Sequence, residues 1–361
     1  MSLLNMLWYR PLCGAVDRSS PQGREGSGGG PRLSLLSNVA PHPNRFRAAR
    51  SIRFDRPAAG TVSAHVFAAF FALLLLLIAG RIPALAAETA VVTDAAPAIW
   101  TVELDGKKLY LFGSMHLLPA QVKWRRPEID DAIAASSVFV FEAPVGGGSS
   151  SAMSNFIESG GKLKDGKTLE DVLPADLYAK VEDAAWKVNY PPAMLRPFRP
   201  WLAAVSLELF TYIKAGFSTY YGVDYLIEKD ATDRGKKLDY LETVEEQLSF
   251  FSRLDRKVEI AYLRETARSI MEEPGSPAEL INAWASGKPE QMIGILEAAF
   301  DKVPVLRAQL LVARNKNWIA KLEAMLKSGD THFVTVGVGH LVGPDSVIAL
   351  LRAKGYKITG P

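Results

Sequence analysis

Residues 109–116 read Leu-Tyr-Leu-Phe-Gly-Ser-Met-His: an apolar run, then a glycine, then an imidazole three positions on. The run is a buried-type β-strand, and glycine lets the backbone leave it sharply and carry the next side chains out of the sheet. The layout recurs where Phe333-Val-Thr-Val336 leads into Gly337-Val-Gly-His340. Val138-Phe-Val-Phe141 ends in Glu142, and Leu238-Asp-Tyr-Leu241 ends in Glu242. Four apolar runs thus each deliver an acid, base or metal-competent group at the carboxyl end, where α/β sheets bind ligands. The pattern predicts an α/β fold: a central mixed β-sheet with a large helical insert and catalytic groups at strand carboxyl ends.

Working outward, Ile99–Leu104 and Lys107–Phe112 are β-rich runs separated by Asp105-Gly106, the strongest two-residue hairpin signal. A Pro-started helix (Pro127–Ser136), the strand Val138–Phe141 and a Gly-rich loop (Gly146–Ser150) follow. Helical spacing of apolar residues then covers about 170–185, 200–214, 222–234, 244–272, 277–300 and 305–327, interrupted by one strand, Lys237–Leu241. The chain closes with strand His332–Val336, helix Pro344–Ala353 and strand Tyr356–Ile358. Residues 87–361 contain neither a fixed-period repeat nor a Pro/Gly-rich linker and read as a single domain.

The 361 residues are 48% apolar and 22% charged, a globular composition that excludes disordered, collagenous and disulfide-scaffold chains. Charge is unevenly spread. Residues 1–86 hold ten Arg, no Lys and three acids, whereas the remainder is mildly acidic, so the overall +3 does not predict a nucleic-acid partner. Val66–Gly80 is almost purely apolar, follows an Arg-rich lead and precedes Ala84-Leu85-Ala86. These are the three parts of a secretory signal peptide over residues 62–86. Export to the periplasm or the extracellular side is expected, with an uncleaved N-terminal anchor as the alternative and no other membrane contact. Residues 1–61 are low in complexity, and the true start is expected downstream of Met1. Cys13 lies in this leader, which removes thiol chemistry from the exported part and leaves His116, His332 and His340 as its imidazoles.

Two imidazoles and a carboxylate at strand ends suit a divalent first-row metal ion with an open water position: Zn, Mn, Co or Fe. Spacing alone is weak support. Chance placement of 28 Gly and 5 His gives about 0.4 Gly-x-x-His matches, and the third one here, Gly329–His332, puts its histidine at the start of a strand. His332 is expected there as a half-exposed strand-entry residue. Gly161–Thr168 fits a phosphate-loop pattern but lacks the preceding strand, and Thr168-Leu-Glu-Asp171 reads better as a helix capping box. No His-Glu-x-x-His or Gly-x-Ser-x-Gly occurs. Trp201 and Trp318 are expected in the core. The polar residues Arg314 and Asn315 either face the cleft or lie on a solvated helix face, the plainer expectation.

Leu109–Leu118, Val138–Glu142, Gly222-Val-Asp224 with Leu241–Gln247, Arg314-Asn315, and Val336–Gly343 with Lys354-Gly355-Tyr356 together resemble the TraB/GumN family. That family is similar to the Tiki metalloproteases and more distantly to the erythromycin esterase and ChaN-like group. The resemblance spans about residues 97–360 and implies metal-site roles for His116, Glu142 and His340. It also marks Asp224 and Glu242 as members of well-kept blocks, while Ser114 keeps the hydroxyl often found as threonine there. The expectation is an exported metal-dependent hydrolase, a peptidase by family analogy. Glu142 stands as third ligand or general base, Glu242 as the reserve base, and Ser114, Asp224, Arg314 and Asn315 as cleft residues. The alternative is a non-catalytic binding protein for a secreted peptide or a polysaccharide pathway. The ChaN-like likeness adds haem handling as a third, weaker expectation.

Overall fold

The structure, a computed structural model, describes residues 91–144, 154–272 and 277–361. The leader, the apolar segment and the Gly146–Ser150 loop lie outside the described residues. The strands are β1 (Ile99–Leu104), β2 (Lys107–Ser114), β3 (Val138–Phe141), β4 (Lys237–Tyr240), β5 (His332–Gly337) and β6 (Lys357–Thr359). The helices are α1 (Pro127–Ala135), α2 (Leu169–Val172), α3 (Ala175–Lys187), α4 (Pro200–Lys214), α5 (Val223–Asp233), α6 (Val244–Ser252), α7 (Arg256–Glu272), α8 (Pro277–Ala285), α9 (Pro289–Phe300), α10 (Pro304–Arg307), α11 (Ala313–Ser328) and α12 (Val347–Ala353).

Asp105 and Gly106 take φ values of 49° and 76°. That left-handed pair folds β1 back onto β2 with the twist a two-residue hairpin needs. From β2 the sheet continues through three parallel pairings, β2 with β5, β5 with β3, and β3 with β4, while β6 closes the other side antiparallel to β1. The order is β4-β3-β5-β2-β1-β6, a mixed sheet. Every residue of β3 and β5 is buried, as expected of parallel strands covered on both faces. The carboxyl ends of four neighbouring strands therefore lie side by side, and the helices between β3 and β5 form the large insert.

Several helices are more broken than apolar spacing suggests. The stretch read as 244–272 divides at Arg253–Asp255, because Asp255 turns its carboxylate onto the Lys257 N–H and starts α7 afresh. The stretch 277–300 divides at Gly287, whose φ of +68° and close approach to the Ala96 carbonyl leave no room for a Cβ. Pro174 divides 170–185 into α2 and α3. Between α10 and α11 the helix passes through a π turn, Ala308–Val312, in which the Ala313 N–H reaches back five residues to the Ala308 carbonyl. The last helix begins at Val347, three residues later than expected, where Ser346 caps it through the Ala349 N–H. The capping box at Thr168–Asp171 is present. His332 is only 4% exposed, since β5 is a central strand and even its entry is covered, which corrects the half-exposed expectation. Among the described residues no helix is long and apolar enough to cross a membrane.

Candidate functional site

Glu142 and Glu242 end adjacent parallel strands, and backbone hydrogen bonds carry the pairing past the strands themselves. The Leu241 N–H donates to the Phe141 carbonyl and the Glu242 N–H to that of Glu142, at 2.9 and 2.7 Å. The two acids are therefore fixed side by side. Immediately afterwards Thr243 and Glu246 form a reciprocal capping box that launches α6 away from the sheet. One turn into α6, the buried Gln247 donates through Nε2 to Glu142 Oε2 at 3.0 Å. On the next strand, the Gly337 N–H donates to Glu142 Oε1 at 2.7 Å, and the short helical turn Val338–His340 follows, ending on the buried imidazole.

Into this group α11 sends Arg314, fully buried. Its Nε donates to both Glu242 oxygens at 2.9 and 3.0 Å, and Nη2 donates to Glu242 Oε2 at 2.8 Å and Glu142 Oε2 at 2.6 Å. Nη1 donates to His340 Nε2 at 3.2 Å. The guanidinium lies over the Trp318 ring, whose Nε1 donates to Glu242 Oε1 at 2.8 Å. Burial works against the Arg314 charge, but Glu142 and Glu242 outweigh it and hold its pKa above the ordinary value. Burial also raises Glu242, even against Arg314.

The tautomer of His340 follows from its neighbours. Asn315 donates through Nδ2 to the Asp345 carbonyl, so its Oδ1 faces the ring and accepts from His340 Nδ1 at 2.6 Å. The lone pair then lies on Nε2, where Arg314 donates to it. Burial, together with the charges of Arg314 and His116, drives the His340 pKa well down and keeps the ring neutral. Arg314 and Asn315 thus belong to the centre of the cluster, which overturns the solvated-face expectation. Trp318 is buried as expected but also hydrogen-bonds the site.

His116 follows β2, and its Nδ1 lies 2.5 Å from Asp224 Oδ2 at the start of α5. The backbone brings them together: the Val223 N–H donates to the Met115 carbonyl, and Gly222 passes so close that a Cβ there would stand 2.2 Å from the His116 carbonyl oxygen. Burial works to raise the Asp224 carboxyl, but the charge and hydrogen bond of His116 outweigh it and hold the pKa below the ordinary value, helped by the Ser114 hydroxyl. Both side chains retain some contact with solvent, 6% for His116 and 15% for Asp224, whereas Arg314 and His340 have none. Asp224 is the more exposed member of the pair, and Nε2 of His116 is buried.

The donor set can be tested against a divalent ion. His116 and His340 each direct Nδ1 at a side-chain oxygen, the way imidazole ligands are oriented. Yet Nε2 of His340 and Oε2 of Glu142 both receive hydrogen bonds from Arg314, and Glu142 Oε1 stays 3.7 Å from His340 Nε2. Among the described residues no group of three His, Cys, Asp or Glu side chains is set to hold a metal ion. In this arrangement the residues do not fit one, because a guanidinium stands at the centre. The sequence reading had not singled out Gln247 as a site residue; it was visible only as the end of the Leu241–Gln247 block.

The chain is 25% identical over 317 residues to the zebrafish (Danio rerio) protein named Metalloprotease TIKI1, covering 74% of this chain and 63% of that protein. It is 22% identical over 322 residues to Metalloprotease TIKI homolog of Amphimedon queenslandica, covering 72% and 60%. The chain thus spans about three fifths of the length of these two relatives. It is also 22% identical to Escherichia coli YbaP over 263 residues, covering 71% of this chain and 92% of that one. No solved structure matches. The model of the TraB/PrgY/gumN family matches residues 98–360, from the first residues of the hairpin through β6 and across every strand end described above, so the chain belongs to that family.

Proposed function

We propose that the protein is a hydrolase that adds water to an acyl carbon, with an exported peptide as substrate. The observation that carries this is the His116–Asp224 pair, 2.5 Å apart at the carboxyl end of β2. In its neutral form the imidazole, oriented by the Asp224 carboxylate with its proton on Nδ1, holds on Nε2 the lone pair of a general base. Nε2 takes a proton from water as its oxygen bonds to the acyl carbon. The same nitrogen returns that proton to the leaving amine when the C–N bond breaks. The similarity to the TIKI metalloproteases supports the reaction class. The Arg-led apolar segment before Ala87 supports export. The complete burial of Arg314 and His340 favours a second reading, a binding protein without turnover.

The test is turnover of a mixed pool of unstructured peptides by the full chain, read by mass spectrometry. Asp224→Asn and His116→Ala, each checked by circular dichroism, are expected to lose about 10²–10⁴-fold in rate. A folded His116→Ala protein that cleaves at the wild-type rate removes this reading. Peptide binding without product moves it to the second one.

A further inference from the structure

The chain reaches His116 through Gly113, and Gly113 is held by a side chain 171 residues away. We infer that Trp284 is a positioning residue for the His116–Asp224 pair: its indole N–H holds the Gly113 carbonyl, and so fixes where β2 leaves the sheet and where the histidine it carries meets Asp224. The inference rests on reading that pair as the reacting centre of the proposed hydrolase.

Three features carry it. The first is the bond itself. The register between β1 and β2 ends at Ile99 and Phe112. At the very next residue Trp284, 2% exposed on α8, donates through Nε1 to the Gly113 carbonyl at 2.9 Å. A buried carbonyl that loses its donor bears the cost of its desolvation, so the indole pins the backbone at this point.

The second is that Gly113 is packed too closely to shift freely. A Cβ on it would stand 3.0 Å from the Val338 side chain and 3.1 Å from Val338 Cα. The residue bonded to the indole is therefore also pressed against the turn Val338–His340.

The third is that α8 grips the chain beyond His116 as well. The Ala96 N–H donates to the Ala285 carbonyl at 2.7 Å, and the Val92 N–H to Asn282 Oδ1 at 3.0 Å. The stretch held in this way pairs with Lys123: the Ala95 N–H donates to the Lys123 carbonyl at 2.8 Å, and the Lys123 N–H to that of Thr93 at 2.7 Å. One helix thus holds the chain directly at Gly113 and, through residues 92–96, at Lys123, with His116 between them in sequence. Trp284 is the link of this grip nearest to the histidine. A displacement of about 1 Å in a reacting group can cost about a hundredfold in rate, so a link three residues away is close enough to matter.

The experiment is long-range 1H–15N NMR of the full chain, in which the His116 ring nitrogens are read from its carbon-bound protons and assigned by their loss in His116→Ala. Trp284→Phe keeps an aromatic ring and loses the donor. It is expected to move the His116 Nδ1 resonance toward its position in Asp224→Asn. Trp100→Phe removes a buried indole bond of the same kind, to the Pro361 carbonyl at 3.1 Å, and is expected to leave that resonance in place. Should Trp284→Phe fail to fold, benzothienylalanine at position 284, which puts sulfur in place of the N–H in a ring of the same shape, is read on the same criterion. An Nδ1 resonance unchanged without the donor overturns the proposal, as does an equal shift in Trp100→Phe. On peptide turnover the donor-free variant should lose about tenfold in kcat with KM unchanged, and a loss confined to KM overturns the proposal too. The NMR readout needs no substrate, so failure of the hydrolase reading is seen separately, as absence of turnover in the wild type.

Discussion

A Gly-x-x-His spacing stands at each end of β5, one leading into the strand and one leading out of it, and both histidines are buried but held by different partners. At the entry, Gly329 takes a φ of +95° to end α11 in a left-handed cap, and His332 hydrogen-bonds the nearby Asp330 carbonyl through Nδ1 at 3.2 Å. At the exit, Gly337 donates to Glu142, and His340 is held on one nitrogen by Asn315 and on the other by Arg314. The same four-residue spacing is a helix stop in one place and a site scaffold in the other. The end of the strand, and not the spacing, decides which.

The largest way to break the exit end is to remove its central cation. Arg314→Met should cost about 3–5 kcal/mol in urea unfolding, the usual consequence of leaving buried acids unpaired. Beside it, at the end of the neighbouring strand β2, Gly222→Ala forces a Cβ against the His116 carbonyl oxygen. Neither neighbour is a flexible side-chain tip, so about 1–3 kcal/mol is expected by the same measurement.

The two histidines also separate by pH. His340 is held neutral in the folded protein, while the unfolded chain binds a proton near the ordinary value of 6.5. Its contribution is therefore complete above that pH and is lost as pH falls, with a limiting slope of about 1.4 kcal/mol per pH unit. Wild type should lose stability more steeply than His340→Gln between pH 7 and 5. Smallest of all, His332→Gln should cost about 1 kcal/mol at neutral pH. Its burial lowers the ring pKa without an arginine partner, so its effect on the acid limb should be shallower than that of His340. Equal slopes for the two variants would erase the distinction between the strand ends.

The exit end was legible in part, for a definite reason. The apolar runs before His116, Glu142, Glu242 and His340 mark parallel strands directly, because a strand covered on both faces shows as unbroken hydrophobicity. Asp105-Gly106 set the hairpin by its backbone requirement alone. Arg314 was not legible as a buried group, because its burial depends on Glu142 and Glu242, which are 172 and 72 residues away in sequence. Helical spacing treats an arginine as a surface residue unless such partners are known. The breaks at Asp255 and Gly287 escaped for a related reason, since a capping side chain or a tight backbone contact leaves the apolar period almost unchanged.

The π turn between α10 and α11 carries one residue more than a regular helix would need. A helix advances by about 100° per residue, so the surplus residue sets the direction of everything after it, Arg314 and Asn315 first of all. Deleting a single codon within residues 308–312 would turn both side chains away from the acids and the imidazole they serve. In evolutionary terms, the centre can be dismantled by a shift in phase while every residue that builds it stays unchanged.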